Sequence, residues 1–173
     1  MPVFGITTTD GLGEPTGPNY KNVSKFTLSE SGLVNKLSLF MFAAGGTAQV
    51  RGALYADSSG SPAAFKAVGS EFTVVDGAGL AWFDSTISPS VLLAPGDYWL
   101  GFNSTGGGLR LVYHSVAGNR KYGPETYSAS PSDPFGSVED TDEKEITVYA
   151  TYDSVAPQFP QQLQPRRGGT GRW

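Results

Sequence analysis

The sequence predicts an all-β protein: an antiparallel β-sandwich of the jelly-roll type with extended N- and C-terminal arms. Short segments in which apolar and polar residues alternate recur along the chain, as expected of strands with one buried face. No segment shows a helical period over ten or more residues. The 23 glycines and 12 prolines among 173 residues supply the turns that many short strands need.

The predicted elements follow in chain order. Residues 1–19 are rich in Gly and Pro, so we expect an extended leader with one short strand. In residues 33–42, Leu37, Leu39 and Met41 share one face, which predicts a strand with a core side. The predicted strands cover residues 3–6, 20–28, 33–42, 48–56, 71–75, 80–87, 97–103, 109–115 and 146–152, with at most one helical turn at 63–67.

Composition divides the chain into three parts: a leader (1–19), the sandwich (20–152) and a Pro-, Gln- and Arg-rich arm (153–173). The 16 acids and nine of the 12 bases precede residue 154, so the body carries −7 and the remainder +3. A basic arm on an acidic body is typical of a segment that lies on a neighbouring subunit. The alternative is a solvated terminus.

The residues that we expect to hold such an arm in an assembly are apolar anchors and bases. Trp173 has a large ring that a partner's pocket could bury, although an exposed ring would need no explanation. The predicted assembly residues are Phe159, Leu163, Arg166, Arg167, Arg172 and Trp173.

Composition also bears on partners and chemistry. The absence of cysteine excludes disulfides, thiolate metal sites and a cysteine nucleophile. An acidic body is a poor nucleic-acid binder, because that affinity comes mostly from Lys and Arg. We expect no membrane insertion and no classical export signal, since no apolar run has the required length.

No catalytic constellation is evident, and we expect no enzymatic activity. The only histidine, His114, has Ser115 on the opposite face of its strand. Planar rings that could stack on a sugar are a second kind of candidate, although strand tryptophans are more often core residues. The candidate glycan-stacking residues are Trp82, Trp99, Tyr113, Tyr122 and Tyr127.

Metal binding is predicted only weakly, and we expect no cofactor. Five acids lie within residues 139–145, where clustered carboxylates could hold calcium. The spacing differs from that of an EF-hand loop, and a solvated charge run is the simpler interpretation. The weak calcium candidates are Asp57, Asp140 and Asp142.

Several motifs resemble a carbohydrate-binding-module-like jelly-roll domain that recurs in tailed-phage virion proteins and in some bacterial surface proteins. The Pro-Gly-Asp-Tyr-Trp run at 95–99 is expected to make a tight turn into a central strand. Pro134-Phe135-Gly136 is expected to bring a long connecting segment back onto the sandwich. The resemblance spans about residues 3–152 and is carried by residues 26–38, 54–62, 93–101, 119–127, 131–137 and 146–152.

The resemblance implies a non-enzymatic structural component of a tailed-phage virion, assembled in the host cytoplasm. Its expected role is that of a minor tail, fibre or tail-tip protein that associates with other virion proteins through its terminal arms, as a homo-oligomer with a trimer favoured. A capsid decoration protein and a module that binds a host-surface glycan are the alternatives.

Overall fold

The computed structural model describes residues 1–156, apart from the side chains of residues 116–118. Strands account for 69% of these residues, and none of them forms a helix. The eleven strands are β1 (Val3–Gly5), β2 (Leu12–Pro15), β3 (Tyr20–Leu28), β4 (Gly32–Ala43), β5 (Thr47–Ser58), β6 (Ser61–Val75), β7 (Ala81–Leu93), β8 (Gly96–Ser104), β9 (Leu109–Pro124), β10 (Asp140–Ile146) and β11 (Val148–Ser154). The all-β prediction is confirmed.

The strands form one antiparallel sheet that curls into a half-barrel. Its main path runs β1-β11-β4-β9-β3-β8-β5-β6, while β2 and β10 pair with β9 and β7 pairs with β4. β9 lies in the middle of this path and joins its two halves, because Leu111 pairs with Met41 of β4 and Tyr122 pairs with Asn22 of β3. The long β9 also pairs with β2 and β10, so it has more strand partners than any other strand.

The main core fills one face of the sheet. Leu37, Leu39 and Met41 are all buried there, as their alternation predicts. Leu54 of β5 and Leu100 of β8 lie opposite each other in the same core. Since every second residue of a strand points to the same face, the apolar period of these strands specifies the buried side.

A second, smaller cluster lies on the other face of β3, β8 and β5. It contains Val23, Ala53, Tyr55, Trp99 and Phe135, and we call it the outer cluster. The first four residues alternate with main-core residues along their strands, which places them on the opposite face. Phe135 comes from the segment between β9 and β10, which covers this face of the sheet.

No helical turn forms at residues 63–67, where the sequence allows at most one. These residues belong to β6, where Phe65 pairs with Tyr55 and Ala67 pairs with Leu54. Pairing with β5 outweighs the helix propensity of the alanines in this segment.

The leader and the charge run both contribute strands. β1 pairs with β11 and β2 pairs with β9, so two parts of residues 1–19 join the sheet. Residues 140–146 form β10, a strand that the sequence analysis did not predict, although Asp140 and Glu143 stay exposed as expected of a solvated charge run. No helix in residues 1–156 has the length and hydropathy to cross a bilayer. The sandwich and jelly-roll assignment stays a prediction.

Candidate functional site

A small polar cavity of about 160 Å³ lies where β2 crosses the ends of β3 and β9. β2 reaches this position because Glu14 pairs with Leu111, while Tyr122 and Asn22 are cross-strand neighbours. We call this cavity the ion-pair pocket; its lining consists of Glu14, Pro15, Thr16, Gly17, Tyr20, Asn22, Arg120 and Tyr122.

Arg120 is the central cation of the pocket and is only 3% exposed. Its Nη2 lies 2.7 Å from Oε1 of Glu14, and its Nε donates to Oδ1 of Asp142 at 3.1 Å. A second bond from Nη2 to Asp142 makes this pair bidentate. Lys144 also contacts both Glu14 and Asp142. Two cations thus share two carboxylates, and the four charges sum to zero.

These contacts keep the titratable groups charged. Burial alone raises the pKa of Glu14, but hydrogen bonds from Lys144 and Arg120 outweigh it, and the pKa falls below 4.5. The hydrogen bond to Glu14 raises the pKa of Lys144 above 10.5. Both groups therefore stay ionised around neutral pH, and the pocket presents fixed charges of both signs.

Two tyrosines stand beside these charges. The ring centroids of Tyr20 and Tyr122 are 6.3 Å apart, and the guanidinium carbon of Arg120 lies 4.9 Å from the Tyr122 ring. The Tyr20 hydroxyl donates to Glu139 at 2.5 Å, and the Tyr122 hydroxyl donates to Asp140 at 3.2 Å. The bond to Glu139 raises the pKa of Tyr20, while burial and the Asp140 charge raise that of Tyr122.

The two tryptophans among the glycan-stacking candidates lie elsewhere. Trp99 is 1% exposed in the outer cluster, where its Nε1 donates to Oδ1 of Asp57 at 2.8 Å. Trp82 is half-buried between Phe40 and Tyr149, with ring centroids 5.0 and 4.9 Å away. Both rings are therefore engaged by other parts of the protein.

The remaining tyrosine candidates differ in their relation to the pocket. Tyr113 is adjacent to it, because Nζ of Lys144 lies 4.8 Å from its ring centroid. Tyr127 lies elsewhere and donates to Oε2 of Glu71 at 2.7 Å. Of the five stacking candidates, Tyr122 is the one that lines the pocket.

The aspartates proposed as calcium ligands already accept hydrogen bonds. Asp57 accepts from the backbone of Gly60 at 3.0 Å as well as from Trp99. Asp140 accepts from Tyr122, and Asp142 accepts from Arg120. Within residues 1–156, no three His, Asp or Glu side chains are grouped as a metal site. Calcium binding by Asp57, Asp140 and Asp142 stays a prediction.

The predicted assembly residues lie outside the described part of the chain: Phe159, Leu163, Arg166, Arg167, Arg172 and Trp173. His114 is described, and its Nδ1 lies 3.8 Å from Oδ1 of the exposed Asp10.

The sequence interpretation missed Glu14, Tyr20, Arg120 and Lys144 as site residues. One signal was present: β3 carries Tyr20, Asn22 and Ser24 on the face where the following apolar residues enter the core. Polar residues at the start of a strand face that later carries core residues indicate that this end of the strand does not contact the apolar core.

No family model, curated protein or solved structure matches this chain.

Proposed function

We propose that this chain is a non-enzymatic structural component of a tailed-phage virion that attaches to a host-surface glycan through the ion-pair pocket. The glycan part rests on the geometry of the pocket. The virion part rests on the resemblance of residues 3–152 and on the composition of the arm. Each part has its own test.

The observation on which the glycan proposal rests is that Tyr20 and Tyr122 lie beside the ion pairs of Arg120, where opposite charges balance. A saccharide presents hydroxyl groups that both donate and accept, together with apolar ring faces. The guanidinium of Arg120 supplies donors, and the carboxylate of Glu14 supplies acceptors. The tyrosine rings add apolar area at the edge of the pocket.

The charge states of Glu14 and Lys144 favour ligand binding over proton transfer. A general acid or base works best when its pKa lies near the operating pH. The pKa values of Glu14 and Lys144 are both shifted away from neutrality. The groups suit a preorganised polar surface that recognises a neutral ligand without transforming it.

A glycan array of bacterial surface polysaccharides tests the attachment role. We expect binding to a subset of glycans in the micromolar to millimolar range, about −8 to −4 kcal/mol. Mass spectrometry of the bound glycans should reveal no cleavage or modification. Turnover would contradict the non-enzymatic assignment, and an array without any binding would contradict the glycan assignment.

The assembly role has a separate test. We propose that the half-barrel is part of a jelly-roll sandwich whose C-terminal arm associates with other virion proteins. Deletion of residues 157–173 should leave the near-ultraviolet circular dichroism of the domain unchanged and reduce its incorporation into particles. Normal incorporation of the truncated chain would contradict this role. The position of the chain in an intact particle separates a tail component from a capsid decoration protein.

A further inference from the structure

The ion-pair pocket is small for a ligand-binding cavity. Its volume is about 160 Å³. Pockets that enclose drug-sized ligands have volumes of about 300 to 1,000 Å³, so this cavity has roughly half the space of the smallest of them. A ligand on that scale corresponds to one sugar ring, whereas a run of several sugar residues needs a longer groove. The pocket therefore limits how much of a glycan it can enclose.

The walls of the pocket are held in place by contacts within the protein. On the β2 side, the backbone N of Thr16 donates to the carbonyl of Leu109 at 2.9 Å. Gly17 lies directly against the ring of Tyr20, because a Cβ added to this glycine would come within 2.8 Å of that ring. Asn22, which also lines the pocket, is buried. Because widening the cavity would break these contacts, its size restricts the ligand.

Two exposed carboxylates are fixed at the tyrosines of the pocket. Glu139 accepts a hydrogen bond from the hydroxyl of Tyr20, and Asp140 accepts one from the hydroxyl of Tyr122. Both tyrosines line the pocket. We call Glu139 and Asp140 the rim acids, because the hydrogen bonds hold one carboxylate at the outer end of each ring.

The charges around the pocket do not balance once the rim acids are counted. The two cations and two carboxylates of the ion pairs sum to zero, and the rim acids add two negative charges. The six groups thus carry a net charge of −2. Arg120 offers little attraction to an acidic sugar, because Glu14 and Asp142 already neutralise it. A carboxylate, sulfate or phosphate on a sugar would therefore be repelled, whereas a sugar without such a group would not.

We propose that the ion-pair pocket takes one terminal sugar residue that carries no negative charge, and that the rim acids determine this specificity. A terminal residue leaves the cavity through one glycosidic bond, whereas an internal residue needs room for a neighbour on both sides. This specificity rests on the proposed glycan attachment and adds the class of ligand: the pocket recognises the end of a glycan chain and not a run of its units.

Isothermal titration calorimetry of the full-length protein at pH 7 tests this specificity with three probes. The first is the oligosaccharide that binds most strongly on the glycan array. The second is the methyl glycoside of its terminal sugar, and the third is the same glycoside with its 6-hydroxymethyl group oxidised to a carboxylate. The test variant carries Glu139→Gln and Asp140→Asn, which remove both charges and keep an acceptor oxygen for each tyrosine hydroxyl. The control carries Glu143→Gln, at an exposed acid of β10 outside the pocket lining.

We expect the methyl glycoside to bind within about threefold of the oligosaccharide, because one ring makes the contacts. The oxidised glycoside should bind at least about tenfold more weakly than the methyl glycoside. The double variant should narrow this difference to less than about threefold, because the repelling charges are gone, and the control variant should retain it.

Three results would overturn the proposed specificity and leave glycan attachment intact. A methyl glycoside that binds more than about tenfold more weakly than the oligosaccharide would show that several sugar units are needed. Equal binding of the two glycosides, or an unchanged difference in the double variant, would remove the role of the rim acids. A glycan array dominated by acidic terminal sugars would do the same. An array without any binding would instead contradict the attachment role and this specificity with it.

Discussion

Lys21 and Arg120 are both almost completely buried cations, yet their surroundings differ in one decisive respect. Lys21 lies 2.7 Å from Oε2 of Glu125 and also donates to the carbonyl of Phe135, whose ring lies 4.2 Å away. The segment between β9 and β10 closes over this pair. Arg120, in contrast, lines an open cavity and shares its two carboxylates with Lys144.

The comparison shows how one elementary interaction serves two purposes. A buried cation with a single acid and a covering ring fastens one segment to the sheet. A buried cation that itself lines a cavity, together with one of its carboxylate partners, Glu14, remains available to a ligand. We therefore expect substitutions at Lys21 to affect mainly stability, and substitutions around Arg120 to affect mainly binding.

The largest expected effect is at Lys21. Lys21→Ala leaves the Glu125 carboxylate buried without its cation, which should lower the free energy of unfolding by about 4 kcal/mol. Urea denaturation at pH 7 measures the loss. The double variant Lys21→Met/Glu125→Leu should recover most of it, because no unpaired charge remains. A loss below about 1 kcal/mol in the single variant would show that the Lys21–Glu125 pair does not hold the segment between β9 and β10 on the sheet.

The second-largest loss of stability is expected at Phe135, whose ring covers Lys21. Phe135 is fully buried and makes an edge-to-face contact with Tyr55 at 5.0 Å between centroids. Phe135→Ala should cost roughly 3 kcal/mol in the same denaturation assay, through lost burial and a cavity. The matched control Val138→Ala lies on the same segment but is exposed, and should cost less than about 0.5 kcal/mol. Equal losses in the two variants would contradict a specific role for the Phe135 ring.

A smaller stability effect is expected in the ion-pair pocket. Glu14→Gln preserves the shape of the side chain but removes a carboxylate shared by Arg120 and Lys144. We expect a loss of about 1 to 2 kcal/mol in the unfolding free energy. Glu143→Gln, on the exposed part of β10, is the control and should be nearly neutral. If Glu14→Gln cost as much as Lys21→Ala, the contrast between the two sites would disappear.

The smallest effect is a dependence on acid pH. Hydrogen bonds from Lys21 and Ser132 outweigh the effect of burial and hold the pKa of Glu125 below 4.5; the pKa of Glu14 is lowered similarly. A depressed folded-state pKa contributes stability that is present above the unfolded value and is lost as pH falls through the folded one. Stability should therefore decline below pH 4.5, and Glu125→Gln should flatten that decline. An unchanged pH profile would count against the Glu125 contribution.

The sequence predicts the strands well where one face is apolar. The alternation of Leu37, Leu39 and Met41 is confirmed in the core, because burial of that face requires this period. β10 was missed because its face carries charges. Its partner residues, such as Arg120 opposite Asp142, become neighbours only through the register of β9.

The candidate site was harder to predict for the same reason. Tyr122 and the two aspartates of β10 were identified from residue type, whereas Glu14 comes from a leader that local rules describe only as extended. The register of β2 on β9 places Glu14 beside Arg120, and no local pattern encodes that pairing. Trp99 was a reasonable stacking candidate by type, but the outer cluster buries it.

The most direct test of the central claim compares Tyr122→Ala with Trp82→Ala on the glycan array that binds the natural protein. If the ion-pair pocket holds the glycan, Tyr122→Ala should weaken binding about tenfold, the equivalent of about 1.4 kcal/mol, and Trp82→Ala should leave it unchanged. Full binding by a correctly folded Tyr122→Ala variant, with loss in Trp82→Ala, would contradict the claim and place the glycan at Trp82, beside Phe40 and Tyr149.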